Sequence, residues 1–177
     1  MFQRLLFLAA LIIIMISAHA QQPLSRFENL IGRWEGTGTG FGNSTSVVTA
    51  EYIWILNKQF LEVKHHAEFE PTDQNAEGEV HDDLGIISFN KERNVVVFRQ
   101  YHNEGYFNEY VLNDSLSSPT QLIFESERIE NFVPGGRAQF TINVQGTDKI
   151  QTVFDVGFPG REMACFGTNE LKKVGDK

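Results

Sequence analysis

Gly32-Arg33-Trp34-Glu35-Gly36-Thr37-Gly38-Thr39-Gly40 is the stretch that decides the fold. Successive side chains of an extended strand point to opposite faces. Trp34, Gly36, Gly38 and Gly40 therefore share one face, and Arg33, Glu35, Thr37 and Thr39 share the other. A face with one large aromatic followed only by glycines suits a strand that bends sharply, or one that another segment of chain approaches closely. The stretch reads as the first strand of a small β-barrel, with Trp34 plugging one end.

Working outward, Pro23 to Leu30 has Leu24, Phe27, Leu30 and Ile31 on roughly one helical face, with Pro23 in the first turn and Gly32 as the stop. Downstream, every candidate is a strand: Trp34–Phe41, Val47–Leu56, Phe60–Phe69, Leu84–Phe89, Val95–His102, Tyr106–Leu112, Gln121–Arg128, Ala138–Gln145, Lys149–Val156 and Glu162–Leu171. These runs are rich in Val, Ile, Phe, Tyr and Thr. Asn, Gly, Pro, Asp and Ser punctuate them, as at Asn57-Lys58 and Pro134-Gly135-Gly136. The connections are too short for crossover helices, so neighbours should pair antiparallel. The expected fold is all-β: a single antiparallel up-and-down barrel of about ten strands with a short N-terminal helix, a two-sheet sandwich being the rival.

At the other end of the chain, Arg4, the apolar run Leu5 to Ile16 and the Ala18-His19-Ala20 site have the three parts of a secretory signal peptide. The run is shorter than the roughly 18 residues a membrane span requires. The expected organisation is a signal peptide over 1–20 and one barrel domain over 21–177. Such a protein is exported, periplasmic or extracellular, with no membrane anchor after cleavage. The net charge of −8 argues against nucleic acid as a partner. Cys165 is the sole cysteine, so no intramolecular disulfide forms, and its flanks Met163, Ala164 and Phe166 suggest a small buried hydrophobe.

A short helix followed by Gly-x-Trp at the start of a barrel's first strand resembles the calycin superfamily of lipocalins and fatty-acid-binding proteins. The longer Gly32-x-Trp34-x-Gly36-x-Gly38-x-Gly40 resembles nitrobindins and the related haem-binding β-barrel domain more closely. The resemblance implies a ten-stranded barrel with an apolar pocket. In nitrobindins it further implies haem held by a histidine on one of the last strands, with nitric oxide or peroxynitrite chemistry. This chain departs from that pattern: its last histidine is His102, and the three final candidate strands contain none. Met163 and Cys165 are the side chains in the last strand able to ligate haem iron.

Candidate ligand-binding residues are Trp34, His65, Arg99 and Tyr101. Trp34 either plugs the barrel or lines its pocket. His65 and His66 are strand neighbours and face opposite sides, so they cannot chelate one ion together. His65 shares its face with Leu61, Val63, Ala67 and Phe69 and should point inward; His66 should be solvated. Arg99 and Tyr101 share a face with Val95 and Val97. If that face is interior, they would anchor a carboxylate ligand; if it is exterior, Gln100 and His102 line the cavity instead. Glu109, Glu125 and Arg128 carry the same ambiguity. His81-Asp82-Asp83 reads as a solvated loop rather than a metal site. No catalytic signature is present: no G-x-S-x-G, H-E-x-x-H, phosphate loop or paired-Cys motif. The expected partner is a small apolar or amphipathic molecule. The alternatives are a haem barrel acting on reactive nitrogen species, and a cell-envelope interaction domain using Tyr106, Phe107 and Phe132.

Overall fold

The structure, a computed structural model, describes residues 23–40, 44–71 and 75–175. The expected signal peptide, residues 1–20, lies outside them. A 3-10 helix over Ser25–Leu30 replaces the longer helix expected from Pro23. Gly32 then turns the chain into strand at φ +123°, a backbone conformation that favours glycine.

Ten strands follow: β1 (Gly32–Gly40), β2 (Thr45–Ile55), β3 (Phe60–Phe69), β4 (Glu79–Asn90), β5 (Val95–His102), β6 (Phe107–Leu112), β7 (Gln121–Glu130), β8 (Arg137–Val144), β9 (Lys149–Gly157) and β10 (Met163–Val174). Each pairs antiparallel with its sequence neighbour, and β1 pairs with β10 to close the barrel. Closure joins the two strands that would otherwise be sheet edges, and it removes the sandwich rival.

The closing seam explains the glycine stretch. Gly36 stands opposite Leu171. A Cβ at Gly36 would overlap the backbone carbonyl oxygen of Glu170 and lie 3.0 Å from Leu171 Cα. Close approach of β10, the second of the two expectations, is what the glycine permits.

One end of the barrel is packed shut. Leu24, Phe27 and Leu30 of the 3-10 helix are buried with Trp34, Leu122, Phe124, Ile142, Ile150 and Leu171. Phe27 stacks on Phe124 at 6.2 Å between centroids. Trp34 is 1% exposed and its indole N–H donates to the Leu30 carbonyl at 2.7 Å. Trp34 is the plug.

Three expectations are corrected here. Arg99 and Tyr101 face outward, because β5 turns Val96, Phe98, Gln100 and His102 to the interior. Phe98 sets the choice: it packs over Gly85, where a Cβ would lie 2.5 Å from its ring. Next, β4 begins at Glu79 rather than Leu84, so His81 and Asp83 belong to the barrel wall and not to a loop. Finally, Cys165 is exposed. A register shift between Cys165 and Gly167 inserts one extra residue, which reverses the alternation and sends Phe166 toward the interior while Cys165 pairs with outward Asp155.

Candidate functional site

The end opposite Trp34 is hollow. Two interior compartments of about 450 Å³ and 360 Å³ adjoin through Glu79, His81, His102, Phe154 and Phe166, which line both. The larger reaches down to Tyr52, Val63 and Phe98; the smaller runs beneath Tyr106 and Phe132 at the rim. The wall is rich in aromatic rings, with Phe69, Phe98, Phe140, Phe154 and Phe166 in the larger compartment. At the rim the rings run in series: Tyr106 meets Phe132 at 6.0 Å, Phe132 meets Phe158 at 5.5 Å and Phe158 meets Phe166 at 5.9 Å.

Polar side chains gather on one side of this apolar wall, and Asp83 is their hub. His102 Nδ1 lies 2.5 Å from Asp83 Oδ1, and the Gln100 amide donates to Asp83 Oδ2 at 3.2 Å. The Asn108 amide donates to His102 Nε2 at 3.0 Å and to the Tyr110 hydroxyl at 2.9 Å. An accepting Nε2 places the His102 proton on Nδ1, facing Asp83. Strand register produces the cluster: Asp83 stands opposite His102 on β5 and His65 on β3.

His65 is held from the far side of the seam. The Asn169 amide donates to His65 Nε2 at 3.2 Å and to the Thr152 hydroxyl at 3.0 Å. Asn169 reaches His65 past Gly38, where a Cβ would collide with Asn169 Oδ1 and lie 2.6 Å from Ser46 Oγ. The accepting Nε2 assigns the ring proton to Nδ1. That atom lies 3.7 Å from Asp83 Oδ2, too far for a hydrogen bond. Burial holds the His65 pKa below its ordinary value of 6.5 against the opposing pull of Asp83, so the ring is neutral at pH 7. Burial likewise raises the Tyr52 and Tyr110 phenols, which stay protonated.

Among the described residues, three buried side-chain polar atoms have no protein partner: Ser46 Oγ, His65 Nδ1 and Gln100 Oε1. Leaving a buried polar atom unsatisfied costs about 1–3 kcal/mol. Gln100 and His65 both line the larger compartment, so a molecule there can complete them.

Of the four candidates from sequence, only His65 lines the interior. Trp34 lines neither compartment. Arg99 pairs with Glu109 at 2.6 Å on the outer wall, and Tyr101 packs on Phe107 there at 4.9 Å between centroids. The residues that form the site with His65 are Asp83, Gln100, His102, Asn108 and Asn169. Gln100 and His102 were readable as the other face of β5. Asp83 was hidden by a charged run that resembles a loop, and Asn169 by a long sequence separation.

A broader depression of about 780 Å³ lies on the outer wall across β1 to β5. Charged side chains there pair with one another or with neighbours at Arg33–Glu51 (2.9 Å), Lys64–Glu62 (3.0 Å) and His66–Asp82 (2.7 Å). It is a solvated surface, and it carries His66 as expected.

At the mouth, ligand atoms of Glu79, His81 and Glu104 lie within 4.8 Å of one another. They could share a divalent cation only by giving up bonds they now make, since His81 Nε2 meets Glu79 at 3.2 Å and His81 Nδ1 meets Glu104. The residues do not fit haem. The exposed Cys165 points away from the interior. Both nitrogens of His81 and of His102 are engaged. The unsatisfied imidazole nitrogen of the cavity, His65 Nδ1, has the Asp83 carboxylate beside it. Haem also brings two carboxylates, and the mouth presents Glu79 and Glu104.

The fold and its interior define a class: a closed, ten-stranded, up-and-down antiparallel β-barrel with an internal pocket. Among solved structures the chain is similar to Rv2717c from M. tuberculosis, with a TM-score of 0.61 and 16% identity over 87% of this chain and 98% of that one. It is more distantly similar to a de novo designed fluorescence-activating β-barrel (TM-score 0.41, 10% identity, 86% and 98% covered). EF1p2_mFAP2b bound to DFHBI is at a comparable distance (TM-score 0.46, 10% identity, 87% and 100% covered). At these identities the likeness is one of fold. No family model matches the chain, and no curated protein does.

Proposed function

We propose that this chain is an exported calycin-like barrel that binds a small amphipathic molecule inside its open end. The observation that carries the reading is the set of unsatisfied buried atoms, Ser46 Oγ, His65 Nδ1 and Gln100 Oε1, in and beside a hollow whose wall is rich in aromatic rings. Pockets for small molecules combine apolar walls with a few convergent polar groups in this way. The aromatic body of the ligand lies among Phe98, Phe140 and Phe154, and its polar end meets Asp83, Gln100 and His65. The rim rings run into Phe166 of the cavity wall, which fits an entrance better than the envelope-interaction alternative.

Export is supported by the sequence of residues 1–20, and N-terminal sequencing of the secreted protein should begin at Gln21. Binding is tested with the neutral dye Nile red, together with native mass spectrometry of protein purified from its own host. Saturable dye binding, weakened in Ala67→Trp, is expected, because Ala67 faces the cavity and an indole there takes up room the dye would occupy. The variant's far-UV circular dichroism checks that the barrel is retained. Absence of dye binding, or binding unaffected by a folded Ala67→Trp, overturns the reading. A haem titration separates the nitrobindin-like alternative: no Soret shift is expected.

A further inference from the structure

The polar end of the cavity has one sign. No Lys or Arg lines either interior compartment among the described residues, whereas Asp83, Glu79 and Glu104 do. The connections from β1 to β2 and from β3 to β4 contain no Lys or Arg in their sequence. The arginine expected to anchor a carboxylate, Arg99, is outside and paired with Glu109. A carboxylate entering this cavity would lose its hydration and find acids without a countercharge.

Of the three unsatisfied atoms, the Gln100 acceptor points the same way, while the His65 Nδ1–H donor faces the Asp83 carboxylate. Gln100 is 5% exposed and its Oε1, an acceptor, has no donor, while its amide nitrogen is already given to Asp83. Asp83 accepts from His102 and Gln100, and a carboxylate has lone pairs to spare beyond those two. The place between Asp83 and Gln100 therefore lacks N–H donors. Phe98, Phe140 and Phe154 line the same compartment, and aromatic rings accept a cation beside them.

We propose that the cavity is selective for a primary amine carried on an aromatic or apolar body, with the ammonium group donating to Asp83 and Gln100 Oε1 and the body among the phenylalanine rings. The neutral imidazole of His65, facing Asp83 and near His66, His81 and His102, adds no repelling charge. A quaternary ammonium, having charge but no N–H, satisfies neither acceptor and is a poorer fit. This inference rests on the ligand-binding reading above and specifies the class of ligand.

The test uses three probes of one shape on the processed protein at pH 7: 2-(aminomethyl)naphthalene, 2-naphthalenemethanol and 2-naphthoate. Affinities are read by displacement of Nile red and confirmed by calorimetry. The amine should bind about tenfold or more tightly than the alcohol, the size of one charge-assisted hydrogen bond, and naphthoate weakest. Asp83→Asn and Gln100→Met should each weaken the amine more than the alcohol and so remove most of the amine's advantage; Gln100→Met serves if Asp83→Asn does not fold. If Nile red and the alcohol bind but the amine is no tighter than the alcohol, the selectivity is refuted and the ligand-binding reading stands. If neither Nile red nor any of the three probes binds, both fall together.

Discussion

The seam between β1 and β10 offers the sharpest test of the structural reasoning, through Gly36→Ala. The added methyl group would overlap the Glu170 carbonyl oxygen and crowd Leu171 Cα at 3.0 Å. Both obstacles are backbone, so no rotamer change relieves them, and β10 must shift away from β1. Overpacking of this kind costs typically 1–3 kcal/mol and occasionally more. The upper end applies here, because movement at this seam also strains the ladder from Arg33 to Gly40. Taking about 3 kcal/mol and about 2–4 °C per kcal/mol for a domain of this size, the melting temperature should fall by about 6–12 °C. Gly167→Ala is the control on the same pair of strands. Its nearest neighbour is Thr39 O at 3.5 Å, an ordinary contact, and its φ is not positive. That substitution should leave stability within about 0.5 kcal/mol or raise it slightly through a less flexible unfolded chain. Circular dichroism melts and urea midpoints measure both. If Gly36→Ala melts within about 2 °C of the parent (the effect of a surface change), or if Gly167→Ala falls as far, close approach is not why the glycines are there.

Three other outcomes are expected. The folded-state pKa of His65 lies below the unfolded value of 6.5, so its contribution to stability is complete above about pH 6.5 and declines as pH falls; the limiting slope is about 1.4 kcal/mol per pH unit, and urea titrations should show His65→Gln flattening it. His66 shifts the opposite way through its hydrogen bonds to Asp82 and Glu68, but it is exposed and contributes little. Trp34→Phe should cost about 1–3 kcal/mol by leaving the buried Leu30 carbonyl without its donor, with Nile red affinity unchanged. Arg99→Ala and Tyr101→Ala should leave Nile red affinity unchanged too, as outer-wall substitutions; a large loss in either would place the binding site outside the barrel.

The sequence made the architecture legible because the strands are amphipathic and their turns carry recognisable residues. All ten candidate strands correspond to observed ones, and Phe60–Phe69 and Val95–His102 do so to the residue. The site was less legible, for three physical reasons. Val95 to Val97 is apolar on both faces, so alternation alone could not say which side of β5 is inside; the fit of Phe98 against Gly85 decides it, and that contact lies between strands. Glu79 to Asp83 has the composition of a loop, and only pairing with β3 holds it as strand. A single bulge reversed the faces of β10 around Cys165, and a period-two pattern cannot anticipate an inserted residue.

The opening glycine stretch serves both the fold and the site, and this limits how far the two can be separated. Gly36 lets β10 close against β1. Two residues on, the same face is bare at Gly38, and the room is taken by Asn169 of β10 and Ser46 of β2. Asn169 then crosses the seam to fix the tautomer of His65, which turns Nδ1 toward Asp83. Trp34 on that same face shuts the far end, so the hollow lies at the glycine end of the strand. One alternation of large, then absent, side chains thus places the plug, the seam and the polar end of the pocket along a single strand. A side chain added at Gly36 acts on the backbone of the closure, whereas one at Gly38 acts first on the ends of Asn169 and Ser46, the groups nearest the binding site.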